Sequence, residues 1–225
     1  MKKSLLVVLL VLVALVVVAD RAVEQVAEGV VSRQLEPELG TRPTVEIGGF
    51  PFLTQALRGR YDRIDVSAGD VTRGDVTVQD FTATLTGTRV PMSDVLAGSI
   101  EEVPVDRLRG GALVPYSALT RRGVQVEPAG DRVRLSGTLS VLGQTVDASG
   151  LADVAVDGQD LVLTAREVTA AGVTATGPLA DALLPLLTVR YRVPELPYGL
   201  QLRDVDVEPG GVRVGGTASD VLLRR

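Results

Sequence analysis

The sequence has no cysteine and no histidine among its 225 residues. Without cysteine there is no disulfide, no thiolate metal site, no cysteine nucleophile and no thiol to carry a lipid at a signal cleavage point. Without histidine there is no Ser-His-Asp triad, no histidine-ligated zinc and no imidazole acid–base chemistry. Few soluble enzymes discard both residue types, so the composition points away from catalysis. Aromatic residues make up 3% of the chain and hydrophobic residues 45%, so the core has to be assembled from Val, Leu and Ala. Lysine is scarce as well: Lys2 and Lys3 are the only two, and every later cation is arginine. The formal net charge is −5. Nucleic-acid affinity comes from neutralising phosphates, and an acidic chain is poorly made for it. It is equally poorly made for adsorbing to an anionic membrane by overall charge. An anionic headgroup has to be met by a local cluster of arginines.

What is present begins with an unbroken apolar run, Leu5 to Ala19, behind the two lysines. That is an n-region followed by an h-region. As a helix from Ser4 the run is about 24 Å long, short of the ~30 Å hydrocarbon core. Its length favours a signal peptide over residues 1–19, cut after Val17-Val18-Ala19. The competing reading is an uncleaved anchor that thins the bilayer locally. Under both readings the rest of the chain is exported, because the positive charges stay inside. Residues 20–225 then form a single domain in the cell envelope, secreted or tethered.

Residues 20–36 have the spacing of a helix. Ala22, Val23, Val26, Ala27, Val30 and Val31 make its apolar side, and Glu24, Gln25, Glu28 and Arg33 lie opposite. Asp20 is a candidate N-cap, and Glu36-Pro37 is the expected end. A short helix is expected over 51–58, starting at Pro51. Most of the remaining chain alternates as strand. Val133, Leu135, Leu139 and Val141 share one parity, and Val146, Ala148, Ala152, Val154 and Val156 share another. Turns are expected at Pro128–Asp131, Asp157–Asp160 and Glu208–Gly211.

Two strands change phase midway. Val76 and Val78 give way to Phe81, Ala83 and Leu85, and Leu200 and Leu202 give way to Val205 and Val207. A one-residue slip turns the apolar set outward. A β-bulge near Gln79-Asp80 and another near Arg203-Asp204 repair it. Long antiparallel strands with bulges predict a sheet that curls. The expected fold is α+β: a long curled antiparallel sheet wrapped around one or more helices, with an apolar groove wherever the fillers leave a gap. Candidate fillers are the helix at 20–36 and the apolar segments 92–97, 115–121 and 179–187. The order helix, strands, helix occurs twice, at 52–97 and at 116–187, a weak echo of two related halves.

Paired acids are the first catalytic candidates: Glu101-Glu102, Asp153 with Asp157, and Asp204 with Asp206. Parity sets Asp204 and Asp206 opposite Val205 and Val207, which is what a solvated sheet face looks like. No calcium-loop spacing is present, and the glycine doublets Gly48-Gly49, Gly110-Gly111 and Gly215-Gly216 lack the context of a phosphate loop. No metal, cofactor or catalytic residue is assigned.

The stretch Val45 to Ala68, VEIGGFPFLTQALRGRYDRIDVSA, sets Phe50, Phe52 and Leu53 beside Arg58, Arg60 and Arg63. Guanidinium forks suit phosphate, and the phenylalanines suit an interface. The other reading is a solvated turn whose arginines pair with Asp62 and Asp65. Arg121-Arg122, and Arg190 with Arg192, carry the same two readings. The stretch resembles the opening motif of the LmeA-like family of actinobacterial envelope proteins that bind phospholipids. Leu196 to Val221, LPYGLQLRDVDVEPGGVRVGGTASDV, resembles that family's closing motif. The resemblance implies a non-catalytic protein that binds phospholipid or a related envelope lipid beside the membrane. It further implies support of envelope lipid or lipoglycan maintenance, which in mycobacteria concerns mannosylated lipoglycans. The residues expected to line the lipid groove are Phe50, Phe52, Leu53, Leu57, Ile64, Val66, Phe81, Leu85, Val133, Leu135, Leu139 and Val154. Those expected at the headgroup are Arg58, Arg60 and Arg63. The alternative is an envelope adaptor that binds a protein partner.

Overall fold

The structure is a computed structural model. It describes residues 2–73, 76–97, 99–120, 123–141, 144–170, 172–193 and 196–224, without the side chains of 2–8, 73, 76, 139–141, 144, 146, 179, 182, 186–187 and 197. Among these residues the helices are α1 (Lys2–Leu39), α2 (Phe52–Arg58), α3 (Met92–Ala97), α4 (Tyr116–Leu119) and α5 (Pro178–Leu187). The strands, in chain order, are β1 (Thr44–Gly48), β2 (Arg60–Ala68), β3 (Val71–Arg73), β4 (Val76–Arg89), β5 (Glu102–Pro115), β6 (Val124–Ala129) and β7 (Arg132–Val141). They continue with β8 (Gln144–Asp157), β9 (Asp160–Ala170), β10 (Val173–Thr174), β11 (Val189–Arg192), β12 (Gln201–Glu208) and β13 (Gly211–Arg224). The fold is α+β, built on two antiparallel sheets that do not close into a barrel. The first sheet runs β1-β2-β4-β5-β13-β12 with β3 on β4, and the second runs β10-β9-β8-β7-β6 with β11 on β9.

The chain divides into two compact units. Unit 1 comprises residues 1–69, 82–109 and 218–225, and unit 2 comprises 70–81 and 110–217. The expected turns close three hairpins in unit 2, with terminal pairs Ala129–Arg132, Asp157–Asp160 and Glu208–Gly211. Gly130 and Gly158 sit at φ 73° and 64°, where a side chain is strained. Gly211 is required for another reason: a Cβ there would lie 2.3 Å from the Val114 carbonyl oxygen.

One phase switch is visible in the pairing register, and at the other a residue takes a left-handed conformation. The β12–β13 register shifts between Leu202 and Asp204, so Leu202, Val205 and Val207 share the inner side. Within β4, Asp80 takes φ 47°, a left-handed residue inside a strand and a mark of a bulge. Val78, Phe81 and Leu85 are all half-buried, and the Val76 side chain lies outside the described residues.

Helix α1 departs from the expectation in extent and in facing. It runs unbroken through Asp20 and through Pro37, and ends with Gly40 in the left-handed conformation. Its packed side is Asp20, Glu24, Ala27, Val31 and Ser32, while Val23 and Val26 point outward. Ala27, Val30 and Val31 of the apolar side pack on the core, and Glu24, Glu28 and Ser32 face in beside them because unit 1 has backbone groups to satisfy there. Glu28 accepts a hydrogen bond from the Ile47 N–H of β1 (2.8 Å), and the Ser32 hydroxyl donates to the Pro43 carbonyl (2.6 Å). Among the described residues, no helix is long and apolar enough to cross a membrane.

Candidate functional site

The opening motif folds tightly in unit 1. Gly49 sits at φ 103°, and any Cβ there would strike Gln55. Buried Gln55 donates to the Gly48 carbonyl (3.1 Å) and accepts from the Asp62 N–H (2.9 Å), tying the loop before α2 to the strand after it. Helix α2 has Pro51 at its N-cap and therefore no capping side chain of its own. Asp20 supplies one from α1. Its buried carboxylate accepts from the Phe52 and Leu53 N–H groups at 3.0 and 2.7 Å, so Asp20 caps α2 and not the helix it belongs to. Gly59 ends α2 in the left-handed conformation.

The apolar anchors of this motif separate. Phe52 is wholly buried and stacks, tilted, on Tyr61 at 6.1 Å. Ala27, Ile47, Val90 and Val95 complete that core, with Ile64 packed against it. Val66 is buried, and Leu53 is half-buried. Phe50 and Leu57 are on the outside, at 58% and 90% exposure, and Arg21 lies over the Phe50 ring at 5.3 Å. Inside the core, burial raises the Tyr61 phenol above its ordinary pKa. The Tyr61 and Thr88 hydroxyls are buried without a hydrogen-bond partner among the described residues.

The arginines also separate. Arg63 forks onto Asp65 at 2.5 and 2.8 Å, and this hydrogen bond holds the Asp65 carboxyl below its ordinary pKa, with Thr84 adding to it. Arg60 bonds Asp106 at 3.1 Å, and Arg89 bonds the other oxygen of Asp106. Asp62, one expected partner, is not used this way. Arg58 is exposed and has no acidic partner among the described residues. Arg190 bridges Asp157 and Asp160, and Arg192 reaches Asp160 at 3.8 Å, while Arg121-Arg122 lie outside the described residues. Of the candidate acids, Asp153 is held by Arg132 and Arg166, the ordinary lot of a solvated sheet face.

In unit 2 the register sorts one face of the second sheet into two ends. Val133 opposes Ala152, and Val154 opposes Leu163. With Leu135, Leu161, Leu119 and Val212 these form a closed core in which Val133, Leu135, Leu163 and Val212 are wholly buried. Val154 packs against it, and the Leu139 side chain lies outside the described residues. Further along the same face the row Gly137–Ala148–Ala170 takes over, next to the row Leu135–Gly150–Val168, so the floor there is mostly small residues with one buried valine. Ala148, Ala165, Val168 and Ala175 meet Leu183 of α5, with Ala180 and Leu184 alongside. This second end was missed in the sequence; the signal was the small residues at 148, 165 and 170 on the inner parity of adjacent strands.

Helix α5 is weakly made. It has ten residues, no side-chain cap at Gly177, and Pro185 inside, which removes one helical hydrogen bond. A helix this short depends on packing to persist, and here it packs on small side chains. The opposite face of the sheet carries a recess of 490 Å³ lined by Gln125, Ser136, Thr138, Asp147, Ser149 and Thr169. Gly123, Gly137, Ala148 and Gly172 complete a lining in which polar side chains mix with small residues. Among the described residues no cluster of acids is arranged to hold a metal ion.

An apolar face floored mostly with small residues under a short helix suits a chain-like apolar ligand. No curated protein and no solved structure matches the sequence. A family model described as LmeA-like phospholipid-binding matches residues 18–217, from the last turn before Asp20 through the first half of β13, and the chain belongs to that family.

Proposed function

We propose that this protein binds phospholipid, or a related envelope lipid, at the outer side of the cytoplasmic membrane and serves envelope lipid or lipoglycan maintenance without catalysing a reaction. The observation that carries the reading is the small-residue end of the second sheet under α5. An acyl chain takes the place of α5 on that floor. Each methylene removed from water contributes ~0.8 kcal/mol. Ten of them outweigh what a short helix gains from alanine contacts. The closed end, built on Leu135 and Leu163, stays shut and holds the sheet in shape. Export and an actinobacterial, periplasm-like setting belong to the same proposal, supported by Lys2-Lys3 before Leu5–Ala19.

Native mass spectrometry of the purified protein tests it. A stoichiometric mass adduct that fragments as phospholipid is expected. A chain that stays bare after incubation with phospholipid vesicles sinks the lipid reading and leaves the adaptor, which the filled core around Leu135 favours. Fractionation that finds the chain in the cytosol sinks the location.

A further inference from the structure

Asp20 is the level at which α1 enters the folded unit. Leu9 to Val18 are all exposed and all apolar or alanine, and Asp20 is buried against α2. The exposed stretch is about 15 Å of helix, the depth of one leaflet of a ~30 Å hydrocarbon core. At the Asp20 level stand Arg21 and the Phe50 ring beneath it, and the start of α2. Leu53 and Leu57, one turn apart, share the outward face of α2, and Arg58 follows them. Arg21 also holds Glu24 at 2.5 Å, so among the described residues the unpaired cation of this edge is Arg58.

We infer that Phe50, Leu57 and Arg58 form a docking edge for a bilayer containing anionic phospholipid, and that the Asp20 cap couples this edge rigidly to α1. The inference rests on the membrane-side location proposed above and on residues 1–19 being kept as an uncleaved anchor. Continuity selects the occupant: the exposed apolar helix and the edge meet at one residue. Phe50 and Leu57 then lie among headgroups and upper methylenes while Arg58 meets phosphate. The coupling is the new element. A helix joined through a loose linker would let the unit swing, whereas a carboxylate holding two N–H groups of α2 sets one orientation.

The absence of cysteine makes the test direct. Single substitutions Val18→Cys, Leu57→Cys and Glu38→Cys in the full chain accept an environment-sensitive fluorophore. Glu38 lies eighteen residues beyond Asp20 on the same helix, about 27 Å away. With vesicles of phosphatidylcholine and phosphatidylglycerol, the labels at 18 and 57 should shift to the blue and be quenched by doxyl lipid. The label at 38 should not move. Asp20→Ala should leave the label at 18 quenched and release the one at 57. Should that variant fail to fold, Phe50→Ser tests the edge without touching the core, and a several-fold loss of vesicle affinity is expected. A label at 57 that stays aqueous while 18 is quenched overturns the rigid edge. Both staying aqueous overturns the insertion. Equal quenching at 38 means the helix lies flat, and also overturns it. Mass spectra of the same preparations separate this from lipid binding: lost adduct with retained docking sinks the function proposed above and spares the edge.

Discussion

The two ends of one sheet face in unit 2 are built to opposite rules. One end is floored by Val133, Leu135 and Leu163 and closed by Leu119 and Val212. The other is floored by Gly137, Ala148, Ala165, Ala170 and a single valine, Val168, and covered by α5. Close-packed branched side chains resist rearrangement, because any removed group leaves a cavity. A floor of alanines gives its cover few contacts to lose. The same hydrogen-bonded strands therefore supply a rigid half and a yielding half.

The largest effect should fall on the closed end. Leu135→Ala is expected to cost ~2–5 kcal/mol, read from the urea midpoint, with the lipid adduct of the folded fraction unchanged. Leu183→Ala in α5 should fall at the bottom of that range or below it and should speed lipid exchange. Similar losses from the two would mean the ends do not differ.

The next effect runs the other way. Ala148→Leu fills the small end and is expected to cost ~1–3 kcal/mol by overpacking. It should also cut uptake of every fluorescent lipid tested, whatever its headgroup. Uptake that survives Ala148→Leu would place the acyl chain elsewhere. Leu135→Gln, which buries an amide in the closed end, separates damage to the fold from loss of room.

Much of this was legible in the sequence, and what was not has a physical cause. The bulges at Asp80 and between Leu202 and Asp204 announced themselves because side-chain parity flips only where a residue is inserted. Pro51 marked the start of α2 to within one residue for a similarly local reason. The facing of α1 was readable only in part: Ala27, Val30 and Val31 pack inward as their spacing predicts, and Val23 and Val26 do not. Its hydrophobic stripe ranked Val23 and Val26 as inward, but Asp20 and Glu28 are drawn in by N–H groups of α2 and β1 that lie distant in the chain. Periodicity counts apolar residues and is blind to such demands. The arginines show the same limit. Arg63–Asp65 was readable two residues apart, whereas Arg60–Asp106 spans 46 positions.

That pairing shapes a smaller prediction. Changing Arg58, Arg60 and Arg63 together to Gln should weaken preference for anionic over zwitterionic lipid and leave total uptake nearly intact. Arg58→Gln alone should give most of that change, since the other two are engaged by Asp65 and Asp106. If Arg58→Gln has no effect while the triple variant does, the ion pairs open at the membrane. If the triple variant loses total uptake, headgroup contacts and not the small-residue end govern binding.

The smallest effect concerns acid. Tyr116 donates to the Glu208 carbonyl (2.6 Å) at the closed end, and the Glu208 carboxylate forks onto Arg213 at 2.5 and 3.1 Å. The hydrogen bond from Arg213 holds the Glu208 carboxyl below its ordinary value. Its folded pKa thus lies under the unfolded ~4.3. The pair's contribution is complete above the unfolded value and disappears as pH falls through the folded one. The group is at the surface, so the contribution is small. Urea midpoints measured from neutrality down to strong acid should fall less steeply between those two values for Glu208→Gln than for the parent chain. Some slope should remain, because Asp65 with Arg63 carries the same sign. The lipid adduct should not change between the two proteins, because Glu208 fastens the rigid end. Identical acid slopes would show that the pair adds nothing to stability. A pH-dependent adduct altered by Glu208→Gln would show instead that the closed end takes part in binding, and the division between the two ends would be wrong.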